Sequence, residues 1–178
     1  PAVPAAPTNL SAEAGDEQAD ITFMAGADNG SSITNYQYSL NSGAYTALSP
    51  TDSVSPITIT GLTNGTAYSI YLKAINGEGA SAASEPVSVT PIAAPAVPAA
   101  PTNLSAAAGD GEAVITFMAG ADNGSPIINY QYSLNGGDYA LVSAPASSSI
   151  TITGLDNDTA YSIRLKAING VGASAASE

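Results

Sequence analysis

The residues of this sequence best equipped for chemistry are its carboxylates. Fifteen Asp and Glu stand against three basic side chains, Lys73, Arg164 and Lys166. Hard cations such as calcium take oxygen ligands, so loops that gather carboxylates are candidate sites. Asp110 and Glu112 precede one strand-like run, and Asp156 and Asp158 precede another. In a two-sheet sandwich the loops carrying these pairs share one pole, which makes the four residues weak candidate calcium ligands. Asp28-Asn29-Gly30-Ser31 and Asp122-Asn123-Gly124-Ser125 lack the alternating Asp ladder of a calcium loop and read as plain turns. Hydrolysis by paired carboxylates would need a deep cleft, which a sandwich of this size seldom offers.

Other reaction classes lack their parts. There is no Cys, His or Trp. Thiol chemistry and disulfides are therefore absent, serine has no imidazole base, and sugar stacking loses its best platform. No catalytic residue is assigned, and no cofactor is expected apart from the calcium alternative. Three cations in a chain of net charge −12 exclude nucleic acid, whose binding needs clustered Lys and Arg. The acidity reads as solubility and self-repulsion along an extended array, with cation binding or a saline habitat as alternatives. Neither end has the pattern of a signal peptide, no stretch is long and apolar enough to span a membrane, and any leader or anchor is expected outside this segment. Asn9, Asn29, Asn64, Asn103, Asn123 and Asn157 begin Asn-x-Ser/Thr sequons, which turn and strand-edge chemistry mostly explains.

The elements that carry these residues occur twice. Pro1-Ala2-Val3-Pro4-Ala5-Ala6-Pro7-Thr8-Asn9-Leu10 returns letter for letter from Pro95 to Leu104, and Asn35-Tyr36-Gln37-Tyr38-Ser39-Leu40 returns from Asn129 to Leu134. One residue is lost between Tyr139 and Ile150, as a surface loop tolerates. Residues 1–91 read as one module with a Pro/Ala segment at 1–6, residues 92–101 as a linker, and residues 102–178 as a second module. Proline every three or four residues predicts a semi-rigid polyproline II spacer of about 30 Å.

Within a module, short β-branched and aromatic runs alternate with polar residues, and Asn, Gly and Asp clusters separate them. Strands are predicted near Leu10, at 19–24, 33–40, near Tyr45, and at 57–61, 67–75 and 87–90. Alternation puts Tyr36, Tyr38, Tyr130 and Tyr132 on apolar faces and turns Tyr71 outward beside Lys73, where the second copy has Arg164 beside Lys166. Asn29-Gly30, Asn64-Gly65 and Asn76-Gly77 supply turn residues.

Pro7 and Leu10, Ile21-Thr22-Phe23, Asn35-Tyr36-Gln37-Tyr38 and Leu62-Thr63-Asn64-Gly65-Thr66-Ala67-Tyr68 resemble a fibronectin type III domain. Leu155-Asp156-Asn157-Asp158-Thr159-Ala160-Tyr161 matches the last of these in the second copy. The resemblance covers nearly the whole chain and implies an all-β chain of two tandem immunoglobulin-like antiparallel β-sandwiches. It gives Leu62, Leu155, Tyr68 and Tyr161 structural roles, the tyrosines in a corner where the hydroxyl ties back to upstream backbone. Phe23 and Phe117 stand where the family usually carries Trp, implying a slightly smaller core. The Ala/Asn/Gly-rich style is similar to the bacterial surface and secreted branch.

The functional expectation is a non-catalytic extracellular spacer of a surface or secreted protein, partnered by neighbouring repeats. The alternatives are a protein- or glycan-binding module that uses residues 28–32 and 76–79 with their counterparts, or a filament subunit. The last arises because the second copy stops at Glu178, before an equivalent of Val87-Ser88-Val89. Either the segment is simply cut short of that strand, or its sixth strand is an open edge that a strand from another chain fills.

Overall fold

Ile21 and Phe23 reach the interior while Asp20 and Thr22 do not, and this two-residue period recurs at Ile57–Thr60, Ser69–Asn76, Glu112–Met118, Ser149–Thr153 and Arg164–Ile168. The computed structural model describes residues 1–143 and 148–178, in two units, Pro1–Ala94 and Pro95–Glu178. The first unit holds β1 (Thr8–Gly15), β2 (Gln18–Met24), β3 (Asn35–Leu40), β4 (Thr46–Ala47), β5 (Ile57–Thr60), β6 (Tyr68–Asn76), β7 (Gly79–Ala80) and β8 (Val87–Val89). The second holds β9 (Thr102–Ala108), β10 (Glu112–Met118), β11 (Asn129–Leu134), β12 (Ala140–Leu141), β13 (Ser149–Thr153) and β14 (Ile163–Ile168). All the named strand pairs are antiparallel.

In the first unit, a sheet in the order β1-β2-β5 faces a sheet in the order β4-β3-β6-β7, with β8 also paired to β6. In the second, β13-β10-β9 faces β12-β11-β14. Each unit is a β-sandwich around its own core. Ile21, Ile59, Ile70 and Leu72 are fully buried in the first, and Ile115, Ile152 and Leu165 in the second. The phenylalanines that replace Trp meet the core tyrosines edge-on. Phe23 and Tyr36 lie 4.6 Å apart, and Phe117 and Tyr130 lie 4.8 Å apart. The Tyr36 hydroxyl is buried without a hydrogen-bond partner. Burial, with a contribution from Asp52, raises its pKa above the ordinary phenol value. The lost residue between Tyr139 and Ile150 falls in a stretch that includes residues 144–147, which lie outside the described residues.

The edge of β6 is held by serine rather than by a regular ladder. Ser81 and Ser84 are three residues apart, but their partners Ala74 and Leu72 are two apart, so backbone alone cannot pair both. Each serine N–H donates to a β6 carbonyl, at 2.8 and 2.9 Å. Each serine hydroxyl then accepts the β6 N–H that is left over, at 2.9 and 3.0 Å. Ser174 and Ser177 repeat this against Ala167 and Leu165. The open edge expected for the second unit is therefore corrected. Most of β14 is bonded along that side, and only the Tyr161–Ile163 end lacks the cover that β8 gives Tyr68 to Ile70. The difference is visible locally: β6 begins at Tyr68, whereas β14 begins at Ile163, two residues after the matching Tyr161. Ala12 and Ala14 are half-buried, whereas Ala106 and Ala108 are exposed.

The linker reading also needs correction. Pro91 and Ile92 belong to the first unit, where the Pro91 carbonyl accepts from Gly65 N–H and Ile92 N–H donates to Gly15. Pro95 onward belongs to the second. Ala96 N–H donates to the Asn123 carbonyl at 3.0 Å and Ala99 N–H to Ala121 at 2.9 Å, while Pro98 and Pro101 are buried. Proline has no N–H, but a three-residue extended period puts the alanine N–H groups on one side, where they find acceptors. Ala2, Ala5, Pro4 and Pro7 do the same in the first unit. Of the expected 30 Å spacer, only Ala93 and Ala94 lie between these anchored segments.

Two residues make this latch fit. A Cβ on Gly120 would stand 2.3 Å from the Ala99 carbonyl oxygen, and one on Gly26 would stand 2.2 Å from that of Ala5. The other is a buried amide. Asn169 donates from Nδ2 to the carbonyls of Ala96 (2.7 Å), Asp122 (3.1 Å) and Ser125 (3.2 Å), and its Oδ1 accepts from Val171 and Gly172 N–H. Asn76 binds Ala2, Asp28 and Ser31 in the same way. The expected turn is present, Gly77 and Glu78 linking β6 to β7, but Asn76 has no positive φ and serves it as a hydrogen-bond hub.

Gly120→Ala should lift residues 95–100 off the second unit, and proteolysis by an elastase-type enzyme within 93–100 should accelerate severalfold. An unchanged cleavage rate would show that the latch does not depend on this approach. Asn169→Asp keeps the shape but sets a carboxylate against three carbonyl oxygens. A loss of about 3 kcal/mol is expected in urea unfolding at neutral pH. The buried charge raises the folded-state pKa of the new carboxyl above its unfolded value, so the deficit should narrow as pH falls through that folded pKa.

Candidate functional site

The carboxylates with which the sequence reading began do come near one another, but an amide stands between them. At the pole where the β9–β10 turn meets the loop after β13, Asp110 accepts from Asn157 Nδ2 at 2.7 Å and Gly111 N–H donates to Asn157 Oδ1 at 2.9 Å. The first unit makes the same contacts through Asp16, Asn64 and Glu17 N–H. The pole is thus a hydrogen-bonded tie between two loops, present in both copies. Asp158 has φ of 60° in the position that Gly65 fills in the first unit, so its place is set by turn geometry. Glu112, Asp156 and Asp158 line a shallow pocket with Leu155 and Tyr161. Among the described residues no three acidic side chains are grouped closely enough to hold a metal ion.

Beside this pole sits the tyrosine corner. The Tyr68 hydroxyl accepts from Thr63 N–H at 3.0 Å, and the Tyr161 hydroxyl accepts from Asp156 N–H at 3.1 Å. Leu62 is buried below it, and Leu155 packs half-buried in the same place.

The opposite pole holds the loops proposed for ligand contact, residues 28–32 and 76–79 with their counterparts. Their asparagines are engaged by the chain's own leading segment. Ala2 N–H donates to the Asn29 carbonyl at 3.1 Å, and Asn29 Nδ2 donates to Val3 at 2.8 Å. In the second unit Asn123 serves Ala96 and Val97 identically. The remaining sequon amides are also spoken for: Asn9 and Asn103 donate to the sulfurs of Met24 and Met118, and Asn64 and Asn157 to Asp16 and Asp110. A glycan on any of the six would cost its asparagine that bond.

Tyr36 and Tyr130 are buried, and Tyr38 and Tyr132 pack half-buried against the cores. The outward face of the β3–β6 and β11–β14 sheets carries the basic residues. Lys73 Nζ lies 4.4 Å from the Tyr45 ring centre and Lys166 Nζ 4.3 Å from that of Tyr139, both in cation–π contact. Partial burial and neighbouring Tyr71 raise the Tyr45 pKa above the ordinary value. The strand register sets Gln37 opposite Lys73 and Gln131 opposite Lys166.

Sequence reasoning missed the serine pins and the asparagine hubs. Their signal was available, since Gly-Ala-Ser-Ala-Ala-Ser-Glu at 79–85 returns unchanged at 172–178 and Ala-Ile-Asn-Gly at 74–77 returns at 167–170. Exact repetition of small polar residues, where loops are free to drift, marks hydrogen bonds that depend on them.

A search of curated proteins finds no match. Among solved structures, the chain is similar to the FN1–FN3 domains of chicken CNTN1, with 17% sequence identity and a TM-score of 0.46 over 99% of this chain; it spans 66% of that one. The family model for the fibronectin type III domain matches residues 5–90 and 99–178. With both units so matched, the chain belongs to the fibronectin type III family, as two domains in tandem.

Proposed function

We propose that this chain is a non-catalytic structural spacer on the outside of a cell or in a secreted protein, carrying other domains at a distance. The observation behind this is the latch. In both domains the leading Pro/Ala segment occupies the loops at one pole, and the other pole is tied by the Asn64–Asp16 and Asn157–Asp110 contacts. The loop asparagines Asn29, Asn76, Asn123 and Asn169 are spent on holding each domain to its own lead-in. A strong acidic charge supports the same reading by keeping repeats soluble and mutually repelling. Calcium has no part in this proposal.

The test is a screen of the labelled 178-residue chain against glycan and protein arrays, followed by pulling it between its ends in an optical trap. A spacer should give no saturable binding and two discrete unfolding steps. Saturable micromolar binding that Asn29 and Asn123 substitutions abolish would overturn it in favour of a loop-binding module.

A further inference from the structure

The two near-identical domains differ in charge at several positions, among them a carboxylate pair found only in the first and a cation pair found only in the second. In the first domain Glu13 and Asp20 are direct cross-strand partners on the outer face of the β1-β2-β5 sheet. Their counterparts by sequence alignment are Ala107 and Val114, which are likewise cross-strand partners. Like charges placed opposite each other on adjacent strands destabilise the pairing, so the first domain carries a local electrostatic cost that the second avoids. Asp20 has one oxygen engaged, accepting from the Thr58 hydroxyl, and Glu13 is exposed.

The second domain has the opposite peculiarity. Arg164 and Lys166 stand two residues apart on β14, hence on the same face, opposite Ser133 and Gln131. The first domain keeps only Lys73 there, with Tyr71 in place of Arg164. Arg164 is exposed, and Lys166 rests on the Tyr139 ring rather than on a carboxylate. All three basic residues of the chain therefore lie on this one sheet face of its two domains, and two of the three are on the second. Spacing agrees as well as sign. Side chains at i and i+2 of a strand are about 7 Å apart, and cross-strand carboxylates about 5 Å apart at Cβ, within the reach of Arg and Lys stems.

We propose that the β11–β14 face of the second domain docks, through Arg164 and Lys166, onto the β1–β2 face of the first domain of another copy of the chain, meeting Glu13 and Asp20. Both surfaces are flat sheet faces, and each copy carries one of each kind. The contact joins unlike surfaces of two copies. It brings the lateral repulsion of acidic chains under the control of four side chains.

The test uses the full chain in sedimentation velocity at low ionic strength over a range of concentrations. Wild type should show a sedimentation coefficient that rises with concentration. R164E/K166E should weaken association about tenfold or more. E13K/D20K should weaken it similarly, although it lowers the net negative charge by four. An equimolar mixture of the two variants should associate again, because each then presents what the other lacks. Circular dichroism melts on the same samples identify any variant that does not fold; for such a variant the pairs R164S/K166S and E13Q/D20Q replace it and should weaken association likewise. A concentration-independent wild type overturns the proposal, as does a mixture no more associated than its components. Stronger self-association of E13K/D20K overturns it too, since net charge alone would then account for the behaviour.

Discussion

An asparagine side chain that satisfies three carbonyl oxygens is the interaction on which each domain's organisation rests. Asn76 ends β6 and Asn169 directly follows β14, and both are nearly inaccessible to solvent. Their amides join three segments that no sheet ladder connects: the leading Pro/Ala segment, the loop after the second strand, and the turn that follows the asparagine itself. Buried carbonyls need partners, and irregular loops cannot supply them to one another. One amide with two donor hydrogens and a carbonyl oxygen does so from a rigid base. The loop conformations, the seat of the prolines and the requirement for glycine at 26 and 120 all follow from where that amide points.

Serine plays a parallel part on the free edge of the same strand. A ladder that slips from two residues to three loses its register, and the usual outcome is an unpaired edge that invites other chains. Ser81 and Ser84 return the lost bonds through their hydroxyls while the chain leaves strand geometry. The edge is held without a full strand, and Ser174 and Ser177 hold β14 in the same way.

Much of this fold was legible in the sequence because its signals are local. Alternation at 21–23 and 36–40, the Leu-to-Tyr spacing before β6 and the repeat itself gave the sheets, the cores and the family. The linker was misread because composition reports conformation and not attachment: Pro-Ala-Val-Pro-Ala-Ala-Pro reads as an extended segment, and it is extended, but its alanines are bonded to residues more than twenty positions away. Asn76-Gly77 does open a turn, as the dipeptide predicts, but only the burial of Asn76 marks it as a hub as well. The carboxylates of the β9–β10 pole were foreseen as neighbours of the next loop, but the asparagine that would mediate the contact was taken for a turn residue.

The latch also bears on how such a chain can lengthen over evolutionary time. Each domain carries the segment that finishes its own pole, so the natural splice point lies at Ala93 and Ala94, where the least is bonded, and not at the edge of the sheets. A duplication whose breakpoint falls there inserts a finished part and leaves no pole bare. A breakpoint at Thr102 would deliver sheets without their seal. Pro1 to Leu10 and Pro95 to Leu104, identical letter for letter, contain the part that each domain needs to seal its own pole.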